Sequence, residues 1–599
     1  MRNRTENTRS PRLGRGGCIG LVLLLVLAGP LPAGDVLKQI PADIPGFIYF
    51  PNLAASNERL TELFKHFDED YEAADLDAFG EEVNLSPGTW DPSSPVVLIL
   101  TRPELNADSL LVAYRPRGQQ LVKKAALRQG RPSRCECPIG TCWVVMRGPV
   151  AFAAQKRSAL RVLREVPEDG SVAATLDSVE RQMLDTSDVF GRMTMSRWRE
   201  KNSFYINMGI NMMRWGMTAE ADPEQLPLMQ ALMNWFADGI QTVSDQMSTI
   251  SISAGYDEKT LRLTHHHRFE KDKSVAKYLG CVTRDKSDML ATLPDRSFWM
   301  AATSNWRCPP GQAITARLTR YVMNVDQMKE KVRPELRRKI VREVEACYGQ
   351  MRGSAVMLSA PTACLFPMQI VGSYMLDDAA RGQKEICFIQ ENANATMSVF
   401  MPGADLQGRF EEKEEEGFRF HEMSMNMDKI SPKMRTEIAL AYGENVRFQN
   451  MVLGKHETAF CIAEPPASIV QLARMRKGGE PTLANNAEIK KLLARMPADP
   501  NILVIMDLER FFASLPTLVA QSAHPGQPVP KSLRRPPSKE AEAEAAARPS
   551  RTLIGWACTV GDGRFTGELV IDADDAVAAV CSARKMVEDA RRLEKAEKE

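Results

Sequence analysis

The sequence predicts an α+β protein of two tandem, duplicated domains, with mainly antiparallel sheets flanked by helices. Three observations carry that expectation. A proline-led strand phrase recurs along the chain, a strand–helix unit occurs in both halves, and each half closes on a stretch patterned as a β-hairpin. A chain of 599 residues exceeds what one hydrophobic core organises, which also argues for more than one domain.

The phrase first appears as "VLKQIPADIPGFIYFPNL", residues 36–53, and places a strand at 46–50. Pro41 and Pro45 restrict the backbone ahead of the apolar run, so the phrase reads as a way into a sheet. Similar wording returns at 289–306 and 492–508. A helix is expected over 57–67, because Leu60, Leu63, Phe64 and Phe67 share a face at helical spacing. "PVVLIL" and "SLLVAYR" follow as strands, "GQQLVKKAALRQG" as a helix, and "CWVVMRG" and "VAFAAQ" as strands about a turn at Gly148-Pro149.

"PVAFAAQKRSALRVL" (149–163) matches "ETAFCIAEPPASIVQLA" (457–473) as strand then helix, and each is followed by a short helix and a new strand. Residues 248–269 and 554–572 alternate apolar and polar about a turn, the second at Gly561-Asp562-Gly563. The expected domains are therefore 35–284 and 285–599. In the second, Pro334 suits a helix start and Gly349 its end, with Leu336, Ile340, Val344 and Cys347 on the apolar face. Asp377 is the expected cap of the helix over "DAARGQKEICFI", and "EEKEEEG" (411–417) reads as a solvated turn. The Pro-, Ala- and charge-rich stretch 524–551 reads as a disordered insertion.

Residues 1–34 read as a signal peptide: a leader with five arginines, the apolar "CIGLVLLLVLAGPL", and small residues near Ala33 and Gly34. The apolar core is shorter than the roughly 20 residues of a bilayer span, and retention as an anchor is the alternative to cleavage. No later stretch is apolar enough to span, so an exported chain is expected, in the periplasm, cell envelope or medium. Lys plus Arg number 77 and Asp plus Glu 76, which gives no electrostatic case for nucleic acid.

Familiar catalytic signatures are missing: no Gly-x-Ser-x-Gly elbow, phosphate-binding loop or dinucleotide fingerprint. "HETAF" lacks the second His of a zinc protease helix, and "SVAK" (274–277) lacks the companion motifs of penicillin-interacting enzymes. His265 and His267 fall on one face of a strand and could share a metal ion, although further ligands are needed. In an oxidising compartment, Cys135 or Cys137 could bridge to Cys142 across a turn; free thiols and a metal site are the alternatives. His421, Met423, Met425 and Met427 have period two, which would suit soft copper, but Met is also a core filler. The Met- and Trp-rich region 204–240 is either core or a ligand-facing surface.

With the repeated Leu-Pro-strand phrase and its strand–helix units, the chain resembles a group of large exported bacterial proteins known chiefly as domains of unknown function. Their phrase has the form "LPADxxhhhhhxxL", from which "LPDRSFWMAATSNW" departs after the proline. The resemblance implies a signal peptide and tandem α+β modules and assigns no functional residue. The expected function is non-enzymatic binding of a protein, lipid or envelope polymer, with no cofactor. An exported hydrolase whose site the sequence does not reveal, or a periplasmic metal-handling protein, are the alternatives.

Overall fold

The computed structural model describes residues 34–65, 72–117, 131–163, 168–218, 226–308, 313–359, 369–392, 409–424, 446–462, 467–511 and 552–576, except for a few short turns within them. The expected signal peptide, the helix at 118–130 and the insertion at 524–551 lie outside these residues, apart from Gly34. The protein has the α+β class expected. It divides into two units, one formed by residues up to Thr194 together with Ser251–Glu258, the other by Met195–Ile250 and Lys259 onward.

The first unit's strands are β1 (Gly46–Phe50), β2 (Val96–Leu100), β3 (Leu110–Tyr114), β4 (Ser133–Cys137), β5 (Gly140–Arg147), β6 (Val150–Ala154) and β7 (Val189–Thr194), with residues 251–257 of β8 (Met247–Asp257). Pairing is antiparallel throughout, in the order β4-β5-β6-β3-β2-β1-β7. The tail of β8 runs beside β7, where the Asp188 amide donates to the Ala254 carbonyl at 2.9 Å. Helices α1 (Leu53–Lys65) and α2 (Ser178–Thr186) flank the sheet. "GFIYF" is apolar at successive positions because both faces are covered. Phe47 and Tyr49 join a core with Ile99, Leu111 and Phe152, while Phe50 joins Leu53, Trp90 and Val96 on the other side. Each fully buried Phe of this kind contributes roughly 1.5–3 kcal/mol relative to exposure.

The second unit contains β9 (Thr260–Phe269), the two-residue pair β10 (Thr283–Arg284) and β12 (Trp306–Arg307), β11 (Met300–Ser304), β13 (Met351–Ser359), β14 (Gln369–Leu376), β15 (Arg409–Glu415), β16 (Phe418–Ser424), β17 (Arg447–Gly454), β18 (Glu457–Ile462), β19 (Ile502–Asp507), β20 (Leu553–Gly561) and β21 (Arg564–Asp572). Its sheet, also antiparallel, runs β15-β16-β17-β18-β14-β13-β11-β19-β20-β21-β9. Among the described residues, its helices of seven or more residues are α3 (Met195–Thr218), α4 (Leu226–Gln246), α5 (Ser274–Cys281), α6 (Ile314–Val322), α7 (Pro334–Gly349), α8 (Ala379–Glu391), α9 (Ala467–Arg476) and α10 (Ala487–Leu493).

Within the two units the strand orders correspond. The run β5-β6-β3-β2-β1-β7 in the first matches β17-β18-β14-β13-β11-β19 in the second. The proline-led phrases make matching backbone bonds. Ile40 O accepts from Val172 N at 2.8 Å, and Leu293 O from Leu483 N at 3.0 Å. Ala42 N donates to Gly170 O at 2.8 Å, and Asp295 N to Pro481 O at 3.0 Å. Between each pair sits a proline, Pro41 or Pro294, in a one-residue β-bridge. The missing N–H of proline costs nothing where only its neighbours donate and accept.

Two local expectations change. The helix cap is Asp378, whose carboxylate accepts from Arg381 N at 3.1 Å, while Asp377 is held by Arg307 and Arg352. "EEKEEEG" is the strand β15 and its turn: Lys413 pairs with Glu422 across the hairpin, and Glu416 and Gly417 take the positive φ of the turn. The hairpin at Asp562-Gly563 also has both φ positive, as its two-residue turn requires.

Candidate functional site

The strongest candidate is an apolar cleft in the second unit's helical layer. α6, α7 and α8 pack together, and α4 lies against α6. The amphipathic pattern of α7 buries Ile340 and Val344, as its spacing predicts. Packing stops short of closure and leaves an open cleft of about 430 Å³. Eight apolar side chains line it, among them Leu232, Phe236, Val322, Ile340 and Ile389, with Thr319 and Asn392 as the polar members. Phe236 is 47% exposed, so the cleft opens to solvent beside an aromatic ring. The 204–240 region thus divides: α4 buries Leu228, Met233 and Ala237, while α3 exposes Phe204, Met208, Met212 and Trp215.

His265 and His267 do come together. Their rings lie with Nδ1 of His265 3.0 Å from Nε2 of His267. Phe565 stacks on His265, and Trp556 donates weakly to His265 Nε2 at 3.4 Å. The fit depends on Gly567, since a Cβ there would lie 2.2 Å from His265 Nε2. Burial, then the neighbouring imidazoles, pushes His267 down to about 4, and burial lowers His265 too. Both rings are therefore neutral at pH 7. His266 points to the other face, fully buried, with Nδ1 2.7 Å from Thr566 Oγ1. Among the described residues no group of three or more His, Cys, Asp or Glu is placed to hold a metal ion.

Cys142 is disulfide-bonded, Cys135 stands as a thiol directly across the β4–β5 pair from it, and the side chain of Cys137 lies outside the described residues. Met425 and Met427 also lie outside them; His421 stacks on Phe410. Ser274 opens α5 and hydrogen-bonds the Gln246 side chain at 2.9 Å.

A polar network beneath α8 has no counterpart in the sequence expectations. Gln383 bonds Asn450 and approaches His421 Nδ1 at 3.2 Å and Cys387 Sγ at 3.6 Å, while Asn450 donates to Gln390 at 2.5 Å. The mix of thiol, imidazole and amides suggests a nucleophile. However, the thiol's contacts are to amides, and burial pushes Cys387 up to about 11, so it stays protonated. The network pairs Gln383 with Asn450, leaves the buried Gln383 Oε1 without a partner, and does not activate the sulfur. Sequence spacing gives no warning of it, because its members come from α8, β16 and β17.

No family model matches the chain, and no curated protein matches it. Among solved structures, crystal forms III and I of TP0453 align over 41% and 40% of this chain and 82% and 81% of theirs, at 10% identity, with TM-scores of 0.19 and 0.18. No helix among the described residues is long and apolar enough to cross a membrane.

Proposed function

We propose that this is an exported, non-enzymatic binding protein of the cell envelope whose second unit holds an acyl chain in the cleft between α4, α6, α7 and α8. The observation that carries the reading is the cleft itself, with eight apolar liners, two polar ones and a volume of about 430 Å³. That volume lies toward the lower end for small-molecule sites, and the lining offers no charge to orient a polar substrate. Such a site rewards burial of a flexible hydrocarbon by the hydrophobic effect, with Thr319 and Asn392 available to a terminal polar group. Duplicated α+β modules supply the scaffold, and the leader at 1–34 supplies export.

The test is extraction of the purified mature chain with organic solvent, followed by mass spectrometry, together with displacement of a dansylated fatty acid. Copurified lipid and saturable displacement are expected, and both should be lost on Thr319→Trp, which fills the cleft, with circular dichroism unchanged. A chain that holds no lipid, or one that hydrolyses ester, peptide or glycan substrates, would overturn the reading.

A further inference from the structure

His265 and His267 form a prepared pair. Both project from one face of β9, and residues of the β20–β21 hairpin fix their rings. Phe565 stacks on His265 at 5.6 Å and meets His267 edge-on at 5.7 Å. The Trp556 ring lies parallel to His265 at 6.3 Å, and Gly567 clears the space that His265 occupies. Rings already held by packing lose little freedom when they take a ligand. Both residues keep some exposed surface, so an ion can reach the pair from solvent.

With both rings neutral, hydrogen bonding sets the tautomers. Trp556 donates to His265 Nε2 at 3.4 Å, which leaves the proton of that ring on Nδ1. His265 Nδ1 then donates to His267 Nε2 at 3.0 Å. His267 therefore presents a bare Nε2, while its Nδ1–H is buried without a hydrogen-bond partner.

We propose that this pair is a copper(II) site, with His265 Nδ1 and His267 Nε2 at adjacent corners of a square plane. The argument is the spacing. With metal–imidazole bonds of about 2.0–2.1 Å, a right angle at the metal puts two nitrogens about 2.8–3.0 Å apart. The tetrahedral angle that zinc prefers puts them about 3.3–3.4 Å apart. The separation here is 3.0 Å, which matches the square plane. Nickel(II) shares that geometry, but copper(II) binds such donors more tightly.

Copper takes the place of the proton between the two nitrogens. That proton moves to Nε2 of His265, so the weak bond from Trp556 is given up and no net proton is released. His267 keeps the tautomer it already has. The described residues supply no third His, Cys, Asp or Glu, so the other corners belong to water or an incoming ligand.

Titration of the metal-free, untagged mature chain with copper(II) chloride tests this. Electron paramagnetic resonance should show a tetragonal signal split by two nitrogens. His265→Ala and His267→Ala, made singly, should each weaken binding about tenfold or more, with circular dichroism unchanged. Bound copper should quench Trp556 fluorescence, so Trp556→Phe should keep the ion and lose that part of the quenching. Equal binding by the parent and both alanine variants would mean adventitious copper elsewhere on the chain and would overturn the proposal. A signal without two-nitrogen splitting, or quenching that survives Trp556→Phe in full, would overturn it too. The Trp556 readout leaves both ligands in place, so it decides the matter if the alanine variants unfold. Lipid in the cleft is read separately by extraction, and either result can fail without the other.

Discussion

The guanidinium of Arg192 lies 3.1 Å from a Glu180 carboxylate that has no exposed surface. Glu180 also caps its own helix: its side chain accepts from Asp177 N at 3.0 Å, and Ser251 Oγ donates to it at 2.7 Å. Breaking a buried pair strands a charge, which costs about 3–5 kcal/mol. Arg192→Met should lower the unfolding free energy obtained from urea titration by that amount, whereas Arg192→Met with Glu180→Gln should recover part of it. Equal loss in the single and double variants would show that the pair is not coupled.

Asp188 gives the first unit a pH dependence. Burial pushes it up to about 7, against the opposing pull of the Tyr256 amide at 2.7 Å and Arg59 at 3.0 Å. A carboxyl raised in the folded state stabilises fully below its unfolded value, near 4, and that stability is lost as pH rises through 7. The melting temperature should therefore fall between about pH 4 and 7 and level off above that. Asp188→Asn should flatten that fall; an unchanged slope would place the titration elsewhere.

The imidazole pair has the opposite sign. Lowered in the folded state, His267 contributes stability that is present above its unfolded value of about 6.5 and is lost as pH falls through about 4. Acid unfolding should be less steep between pH 6 and 4 in a His267→Gln variant. The midpoint of a pH titration followed by Trp556 fluorescence would report the same event, because Trp556 lies beside His265.

Close approach makes Gly372 intolerant of any side chain. A Cβ there would lie 2.3 Å from the Ala355 carbonyl oxygen and 2.4 Å from the Phe460 ring. Gly372→Ala should cost about 1–3 kcal/mol through overpacking. Gly454→Ala meets nothing within 4 Å and should stay within about 0.5 kcal/mol. Comparable losses at both positions would indicate a backbone rather than a packing effect.

Many of the strand positions, though not their order in the sheets, could be read ahead of the structure because strands declare themselves locally. "GFIYF", the hairpin at 554–572, and Pro334 at the start of α7 all rest on neighbours in sequence. The cleft could not be read this way. Leu232, Thr319, Ile340 and Ile389 lie on four helices, and nothing local records that their packing stays open. Helical spacing shows that Phe204, Met208, Met212 and Trp215 share a face, but not whether anything covers it. β15 was hidden for the opposite reason: its charges look like solvent, yet Lys413 and Glu422 are satisfied across the hairpin. Glu180 had a readable signal, since Asp177-x-x-Glu180 is the pattern of a reciprocal helix cap.

The order in which the chain visits its two units constrains its biogenesis. Residues 251–257 complete the first sheet, yet the 24 residues of α3 and the 21 of α4 come before them. A ribosome or secretion channel that releases the polypeptide from its N-terminus must deliver both helices before the edge beside β7 can be closed. A nascent fragment ending at Thr194 would carry an unprotected strand edge, the kind of surface that folding factors recognise and aggregation exploits.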